Sequence, residues 1–160
     1  ILTDAGAGNI QWGMSGSPLV TDQFLIVNPG GKTNKGVAAY DRQTGKVVWA
    51  QGNYQAAYAS PVLAKISEVD QVIIQSADTL SAHDLTTGTE LWKTPFAPIN
   101  GIAVGQPLAL PESRVFTSAS YGAGSKMVRV SKEEGDADWK VETVWENKSL
   151  RSKFSSPIYV

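Results

Sequence analysis

The stretch that decides the fold is AYDRQTGKVVW at residues 39–49, because it reappears as AHDLTTGTELW at residues 82–92. The two copies lie 43 residues apart and agree at five positions. The shared residues are Ala39, Asp41, Thr44, Gly45 and Trp49, matched by Ala82, Asp84, Thr87, Gly88 and Trp92. A fixed period of about 20 to 50 residues is typical of repeat proteins, so the sequence predicts an array of similar units.

A second marker, a proline followed by a mostly apolar pair, extends this repeat along the whole chain. It occurs at Pro18, Pro61, Pro107 and Pro157, with spacings of 43, 46 and 50 residues. Short runs rich in β-forming residues lie between the markers, at 24–27, 71–74 and 114–117. Each unit is therefore predicted to hold four strands: A after the proline, B at the apolar run, C ending at Ala-x-Asp, and D carrying the tryptophan.

The turn between strands C and D explains the Asp and Thr-Gly of the repeat. We expect the side chains of Asp41 and Asp84 to accept hydrogen bonds from backbone N–H groups, and Gly45 and Gly88 to supply the positive φ that a tight hairpin needs. These residues are interpreted as structural. The third unit departs from this pattern, since residues 130–135 replace the turn and Trp145 comes about ten residues late.

Four-stranded units at this spacing are typical of β-propeller blades, so an all-β fold is expected. The repeat divides residues 1–160 of one partial propeller domain into five parts. These are a lead-in at 1–16, blades at 17–59 and 60–105, a blade with an insertion at 106–155, and the first strand of a further blade at 156–160. Closing a ring takes at least about four blades, so about three blades and a flanking strand indicate part of a parent with about six to eight.

Composition excludes several classes of partner. The chain has 14 Lys and Arg against 15 Asp and Glu, which leaves a formal charge of −1 and no basic footprint for nucleic acid. No apolar stretch approaches the roughly 18 residues of a membrane-spanning helix. We therefore expect a protein or small-molecule partner, alongside the remaining blades of a parent or a second copy of the chain.

The Ala-x-Asp-x-x-Thr-Gly-x-x-x-Trp string resembles the tryptophan-docking motif of the PQQ-like, or quinoprotein-type, β-propeller repeat proteins. The match is complete in two units and partial around Trp145. In that family the tryptophan of one blade wedges against the next blade near the motif glycine. The resemblance implies a bacterial protein of the periplasm or cell exterior, and it leaves activity open, because the family includes both dehydrogenases and non-catalytic proteins.

The loops that lead into strand A, together with those joining strands B and C, build the ligand face of a propeller. The lead-ins at 12–16, 55–59, 101–105 and 151–155 differ sharply in side-chain type. The candidate ligand-binding residues are Trp12, Met14, Tyr58, Arg151, Lys153 and Phe154. Aromatic surfaces and cations suit an anionic planar ligand. The alternative is that these side chains cap the channel mouth or pack between blades.

A quinone cofactor has little support in these residues. The dehydrogenases that the motif resembles hold PQQ with a calcium or lanthanide ion bound by acidic and amide side chains, and none of the four lead-ins contains an acidic residue. We expect no cofactor in this stretch and leave PQQ and calcium to a larger parent. His83 is the only histidine and is interpreted as an ordinary strand position, with Tyr40 and Arg129 as its equivalents.

The expected function is therefore a non-catalytic, secreted or periplasmic scaffold that binds a protein or small ligand on its loop face. One alternative is a PQQ-dependent dehydrogenase that oxidises an alcohol or a sugar. A second alternative is a self-assembling half-propeller, in which two copies of the chain close a six-bladed ring.

Overall fold

The computed structural model describes residues 1–160, and its regular secondary structure consists almost entirely of antiparallel sheets. The helical elements are α1 (Leu2–Ala5) and a single 3-10 turn at Ile99–Gly101. The strands are β1 (Leu19–Val20), β2 (Phe24–Val27), β3 (Val37–Asp41), β4 (Val47–Gln51), β5 (Val62–Ile66), β6 (Val69–Gln75), β7 (Thr79–Asp84), β8 (Glu90–Pro95), β9 (Leu108–Leu110), β10 (Arg114–Ala119), β11 (Gly124–Ser131) and β12 (Lys140–Asn147). The predicted all-β class is confirmed.

The strands form three four-stranded sheets in which each strand pairs with its neighbour in the sequence. We call β1–β4 blade 1, β5–β8 blade 2 and β9–β12 blade 3. Because neighbouring strands are antiparallel, the lead-in and the loop between the second and third strands lie at one end of each sheet. We call that end the lead-in face. The other two turns of each blade lie at the opposite end.

The prolines explain where each blade begins. The first strands start directly after Pro18, Pro61 and Pro107. Proline has no N–H group to donate to a ladder, so it suits the residue just before or at the start of a strand.

In blade 2 the five residues 71–75 of β6 are all buried, since this blade lies between the other two and both of its faces are covered.

The turns between the third and fourth strands of blades 1 and 2 are built alike. Asp41 Oδ1 accepts hydrogen bonds from the backbone N–H groups of Gln43 and Thr44, at 3.1 and 2.7 Å. The Thr44 hydroxyl donates a third bond, and these hydrogen bonds lower the pKa of Asp41. Asp84 accepts the same three bonds from Thr86 and Thr87. The glycines that follow have positive φ, 69° at Gly45 and 75° at Gly88.

Blade 3 replaces this turn with a longer hairpin. Its last two strands stay paired up to Ser131 and Lys140, and the tip at 132–139 is mostly exposed. Lys140 forms ion pairs with Asp136 at 3.0 Å and with Glu133 at 3.2 Å, and these partners raise the pKa of Lys140. Two of the four acidic residues at the tip are therefore paired within their own hairpin.

A register shift occurs at the same place in every blade. It falls between Ala39 and Tyr40, between Ala82 and His83, and between Met127 and Val128, directly opposite the tryptophan of the last strand. This alignment makes Val128 the equivalent of His83 and corrects the assignment of Arg129. The sequence misled here because the long hairpin of blade 3 hides how many residues separate the bulge from the turn.

The core consists of two buried clusters, and each lies across a boundary between blades. One joins Ile26 and Trp49 of blade 1 to Val72 and Ile74 of blade 2. The other joins Trp92 and its neighbours in blade 2 to the buried aliphatic side chains of blade 3, such as Val128. Neither helical segment is long and apolar enough to cross a membrane.

Residues 156–160 do not form the predicted strand. They pair with none of the three sheets, and Ile158 and Tyr159 are mostly exposed, because a strand needs a hydrogen-bonding neighbour and none lies beside them. Their start is nevertheless placed as the repeat requires. The N–H of Gln106 donates to Ser156 Oγ at 3.1 Å, just as the N–H of Ser17 donates to Ser60 Oγ at 2.8 Å.

Candidate functional site

Trp49 connects blade 1 to blade 2. Its Nε1–H group donates a hydrogen bond to the carbonyl oxygen of Leu85 at 3.1 Å. Its ring lies so close to Gly88 that a Cβ atom built there would come within 2.5 Å of two ring carbons. Trp49 therefore contacts the next blade through both its ring face and its N–H group, at the turn where only glycine leaves room.

His83 lies beneath this contact. Its ring is nearly parallel to Trp49, with centroids 6.5 Å apart, and meets Tyr54 edge-on at 5.9 Å. Nδ1 lies 3.0 Å from the Gly88 carbonyl, which can only accept, so the N–H belongs on Nδ1 and Nε2 can accept the Ser81 hydroxyl proton. Burial lowers the pKa of His83, and the neutral ring serves as packing rather than as a solvent-accessible base.

Trp92 and Trp145 occupy the same register position with different neighbours. Trp92 is buried, and its Nε1–H donates to Gln71 Oε1 of its own blade at 2.7 Å. Trp145 is half-buried against Phe116, with ring centroids 5.8 Å apart. All three tryptophans of the repeat thus pack between or within blades, and none faces the lead-in face.

A cleft of about 360 Å³ lies on the lead-in face, where the loops of successive blades converge. Trp12 comes from the lead-in of blade 1, Tyr58 from that of blade 2, Val104 from that of blade 3, and Phe154 from the segment after blade 3. The full lining is Trp12, Ser15, Tyr58, Ile102, Val104, Tyr121 and Phe154. Equivalent loops thus meet at one place, as expected near the axis of a propeller.

The cleft presents large aromatic surfaces to solvent. Trp12 is 60% exposed and Phe154 is 75% exposed. The rings of Trp12 and Tyr58 touch one another, with centroids 5.7 Å apart and planes tilted by 43°. No slot for a flat ring lies between them, so the cleft offers an open apolar surface rather than a stacking sandwich.

Lys153 supplies a positive charge beside these rings. Its ammonium group lies 5.2 Å from the centroid of Phe154 and 5.7 Å from that of Tyr121. Both distances are within the range of a cation–π interaction. No carboxylate lines the cleft, so the charge of Lys153 is balanced there only by the ring faces.

The predicted ligand-binding set is divided by the structure. Trp12, Tyr58 and Phe154 line the cleft, and the ammonium group of Lys153 lies beside it over the ring of Phe154. Met14 lines a separate cavity of about 170 Å³ beneath α1. Arg151 does not line the cleft, because its Nε–H group donates to the carbonyl oxygen of Lys148 at 2.8 Å and holds the side chain against its own loop.

Sequence reasoning missed several lining residues, chiefly Ile102, Val104 and Tyr121. The signal for the first two was present, since both lie in the 101–105 lead-in that aligns with the one containing Tyr58. Tyr121 lies in the loop between β10 and β11, a loop of the kind also expected on this face, and it has a positive φ of 54°. A search over both kinds of loop would have found all three.

The cleft does not fit a calcium-held quinone. PQQ bears three carboxylates, and the cleft offers one ammonium group and no acidic side chain to hold an ion. Elsewhere in the chain, no three His, Asp or Glu side chains come close enough together to hold a metal. The side chains of the cleft therefore do not suit this cofactor.

Three meandering four-stranded sheets with a cleft where their lead-ins meet define blades of a β-propeller. A family described as outer membrane protein assembly factor BamB matches residues 3–98 and, in an overlapping match, residues 33–160. The chain belongs to this family of PQQ-like repeat propellers, which confirms the resemblance.

Solved structures give a weaker comparison. The chain resembles the crystal structure of BamB from Moraxella catarrhalis, with 18% sequence identity over 77% of the chain and a TM-score of 0.46. The chain spans 40% of the length of that structure. No curated protein matches the chain.

Proposed function

We propose that this chain is a non-catalytic scaffold of the periplasm or cell exterior, which holds a segment of a partner protein in the aromatic cleft on the lead-in face. The observation that carries the proposal is the convergence of Trp12, Tyr58, Tyr121 and Phe154 in one open, mainly apolar cleft. Exposed aromatic side chains grouped in this way are typical of the anchor points of protein interfaces.

A protein segment suits this cleft better than a flat cofactor. The contact between Trp12 and Tyr58 leaves no gap for an intercalated ring, whereas an apolar side chain can pack across their faces. The family description, an assembly factor of outer membrane proteins, is consistent with a protein partner and an envelope location. We place the binding surface on the lead-in face because the three tryptophans of the repeat pack between or within blades.

The first test is a selection from a displayed library of random peptides, with the purified chain as the target. We expect enriched peptides to bind the wild type and to lose at least about tenfold in affinity for the double variant Trp12→Ala and Phe154→Ala, because both anchors would be gone. Val48→Ala is the matched control, since Val48 is an exposed apolar residue on the last strand of blade 1.

Two results would overturn the proposal. The first is the absence of any enriched peptide from the selection. The second is equal binding of the enriched peptides to the wild type and the cleft variant. Oxidation of an alcohol or sugar with added PQQ and calcium, measured with a redox dye, would favour the dehydrogenase alternative. A native mass twice that of the chain would favour the half-propeller.

A further inference from the structure

We infer that the segment held in the cleft is an acidic peptide, which places an apolar side chain on the aromatic rings and carboxylates against the loop at 148–153. This inference rests on the proposed function and specifies the chemistry of its partner.

The charge of this loop differs from that of the whole chain. The chain has a formal charge of −1, yet six consecutive residues include Lys148, Arg151 and Lys153 and no acidic residue. None of these three cations lies within 4.0 Å of a carboxylate. All three are exposed, so their charge is available to a binding partner.

The loop is held in a fixed conformation. Asn147 Oδ1 accepts hydrogen bonds from the N–H groups of Ser149 and Leu150, both at 3.0 Å. The N–H of Ser152 donates to Ser118 Oγ at 2.9 Å, and the carbonyl oxygen of Ser152 accepts a hydrogen bond from the N–H of Ser120 at 2.8 Å. Because the backbone is already ordered, a partner binding here loses less free energy to ordering of the loop.

Two of the cations lie beside the aromatic lining. The ammonium group of Lys153 sits over Tyr121 and Phe154. The ammonium group of Lys148 donates to the carbonyl oxygens of Gly122 and Ala123, at 2.8 and 3.0 Å, next to Tyr121 in the sequence. A carboxylate that reaches this edge meets positive charge close to apolar surface, where the attraction is stronger than in open water.

The spread of the charges favours a peptide over a small anion. The three cations are distributed along a loop rather than directed at one point, and the Lys148 ammonium group is already engaged by two carbonyls. Several carboxylates spaced along an extended chain match this arrangement. A single compact anion beside the rings would face only the ammonium group of Lys153, which donates no hydrogen bond within the chain.

The test uses three labelled peptides with a common Leu-Phe centre, flanked by Glu, Gln or Lys residues, and measures binding by fluorescence anisotropy. We expect the Glu-flanked peptide to bind about tenfold more tightly than the Gln-flanked one and the Lys-flanked peptide to bind most weakly, with differences that shrink as salt is added. Lys153→Glu should reduce binding of the Glu-flanked peptide about tenfold. Lys153→Arg should retain it.

Lys46→Glu is the matched control. Lys46 is an exposed, unpaired lysine in the turn of blade 1 at the opposite face, so the same charge reversal there should leave binding unchanged.

Equal affinity for all three peptides, with binding lost in Trp12→Ala, would overturn the acidic partner and leave the scaffold proposal standing. Equal effects of Lys153→Glu and Lys46→Glu would overturn it too, because the preference would then reflect only net charge. If none of the three peptides binds, this inference fails, and the library selection decides the proposed function separately.

Discussion

The boundary between blades 1 and 2 and the boundary between blades 2 and 3 use the same tryptophan in different ways. At the first, Trp49 donates its N–H group across the boundary to Leu85 and lies on Gly88 above the buried His83. At the second, Trp92 donates to Gln71 of its own blade, and the position of His83 is taken by Val128.

The second boundary replaces the turn contact with other groups. The ammonium group of Lys126, which is largely buried, reaches across to Thr94 Oγ1 and the Pro95 carbonyl in blade 2 and pairs with Glu146 in blade 3. Partly buried Trp139, from the inserted hairpin, packs against the same core cluster. The comparison teaches that both boundaries share a buried indole. The acceptor of its N–H group and the residues packed against its ring differ between the two boundaries.

The largest expected effect on stability comes from removing the indole that both boundaries share. Trp49→Ala and Trp92→Ala should each reduce the free energy of unfolding by about 3 to 5 kcal/mol, because each leaves a cavity between two blades. Trp145→Ala is the control and should cost less than half of that, since Trp145 is only half-buried. Chemical denaturation of the three variants measures the difference. A curve for Trp49→Ala or Trp92→Ala that overlays the wild type would rule out a wedge role.

A smaller effect is expected from changing the contact between Gly88 and the Trp49 ring at the first boundary. Gly45→Ala and Gly88→Ala introduce the same methyl group at equivalent turn positions with nearly equal positive φ, 69° and 75°. The backbone strain of about 1 to 2 kcal/mol is therefore common to both. Gly88→Ala should lose about 1 to 3 kcal/mol more, because its Cβ would overlap the Trp49 ring, whereas Gly45 has open space.

Thermal or chemical unfolding of this pair measures the contact directly. Equal destabilisation of the two variants would show that Trp49 gives way without cost. That result would mean that the Gly88 contact contributes nothing to holding the blades together.

The smallest effect concerns pH and only the first boundary. Burial lowers the pKa of His83 in the folded protein below its ordinary 6.5, so the unfolded chain takes up the proton first as the pH falls. The contribution of His83 to stability is therefore full above about pH 6.5. It declines as the pH falls below that value and levels off once the pH is below the folded pKa.

His83→Gln should remove this part of the pH dependence while keeping a side chain that can donate to the Gly88 carbonyl. The free energy of unfolding of both proteins, measured from about pH 8 to pH 5, checks this, since aspartates titrate at lower pH. If the two proteins lose stability in parallel over that range, the acid sensitivity arises elsewhere.

Much of the fold was predictable because the spacing of a sequence repeat gives the number and the length of the structural units. The spacing of the Trp and Pro markers predicted three four-stranded units, and the run at 24–27 coincides with β2. The role of His83 was not predictable in the same way. Its position in a strand is visible in the sequence, but its contact with Trp49 depends on how two blades pack, which no local pattern encodes.

The cleft was predictable only in part, for reasons of local backbone geometry. Trp12 and Met14 are two residues apart, but Gly13 between them has a φ of 84°, and the two side chains enter different cavities. Arg151 is drawn back by its bond to Lys148. Residue type identified the aromatic anchors. The direction of each loop side chain required the structure.

The inserted hairpin of blade 3 offers a site for attaching a label. Its tip at 132–139 extends beyond the last paired residues, Ser131 and Lys140, and Gly135 has no neighbouring atom within 4 Å of where a Cβ would be. This tip lies at the end of the blade opposite the lead-in face. A fluorophore or an immobilisation tag inserted there would keep the aromatic cleft turned toward solution, so binding could be followed on a surface without masking the residues that carry it.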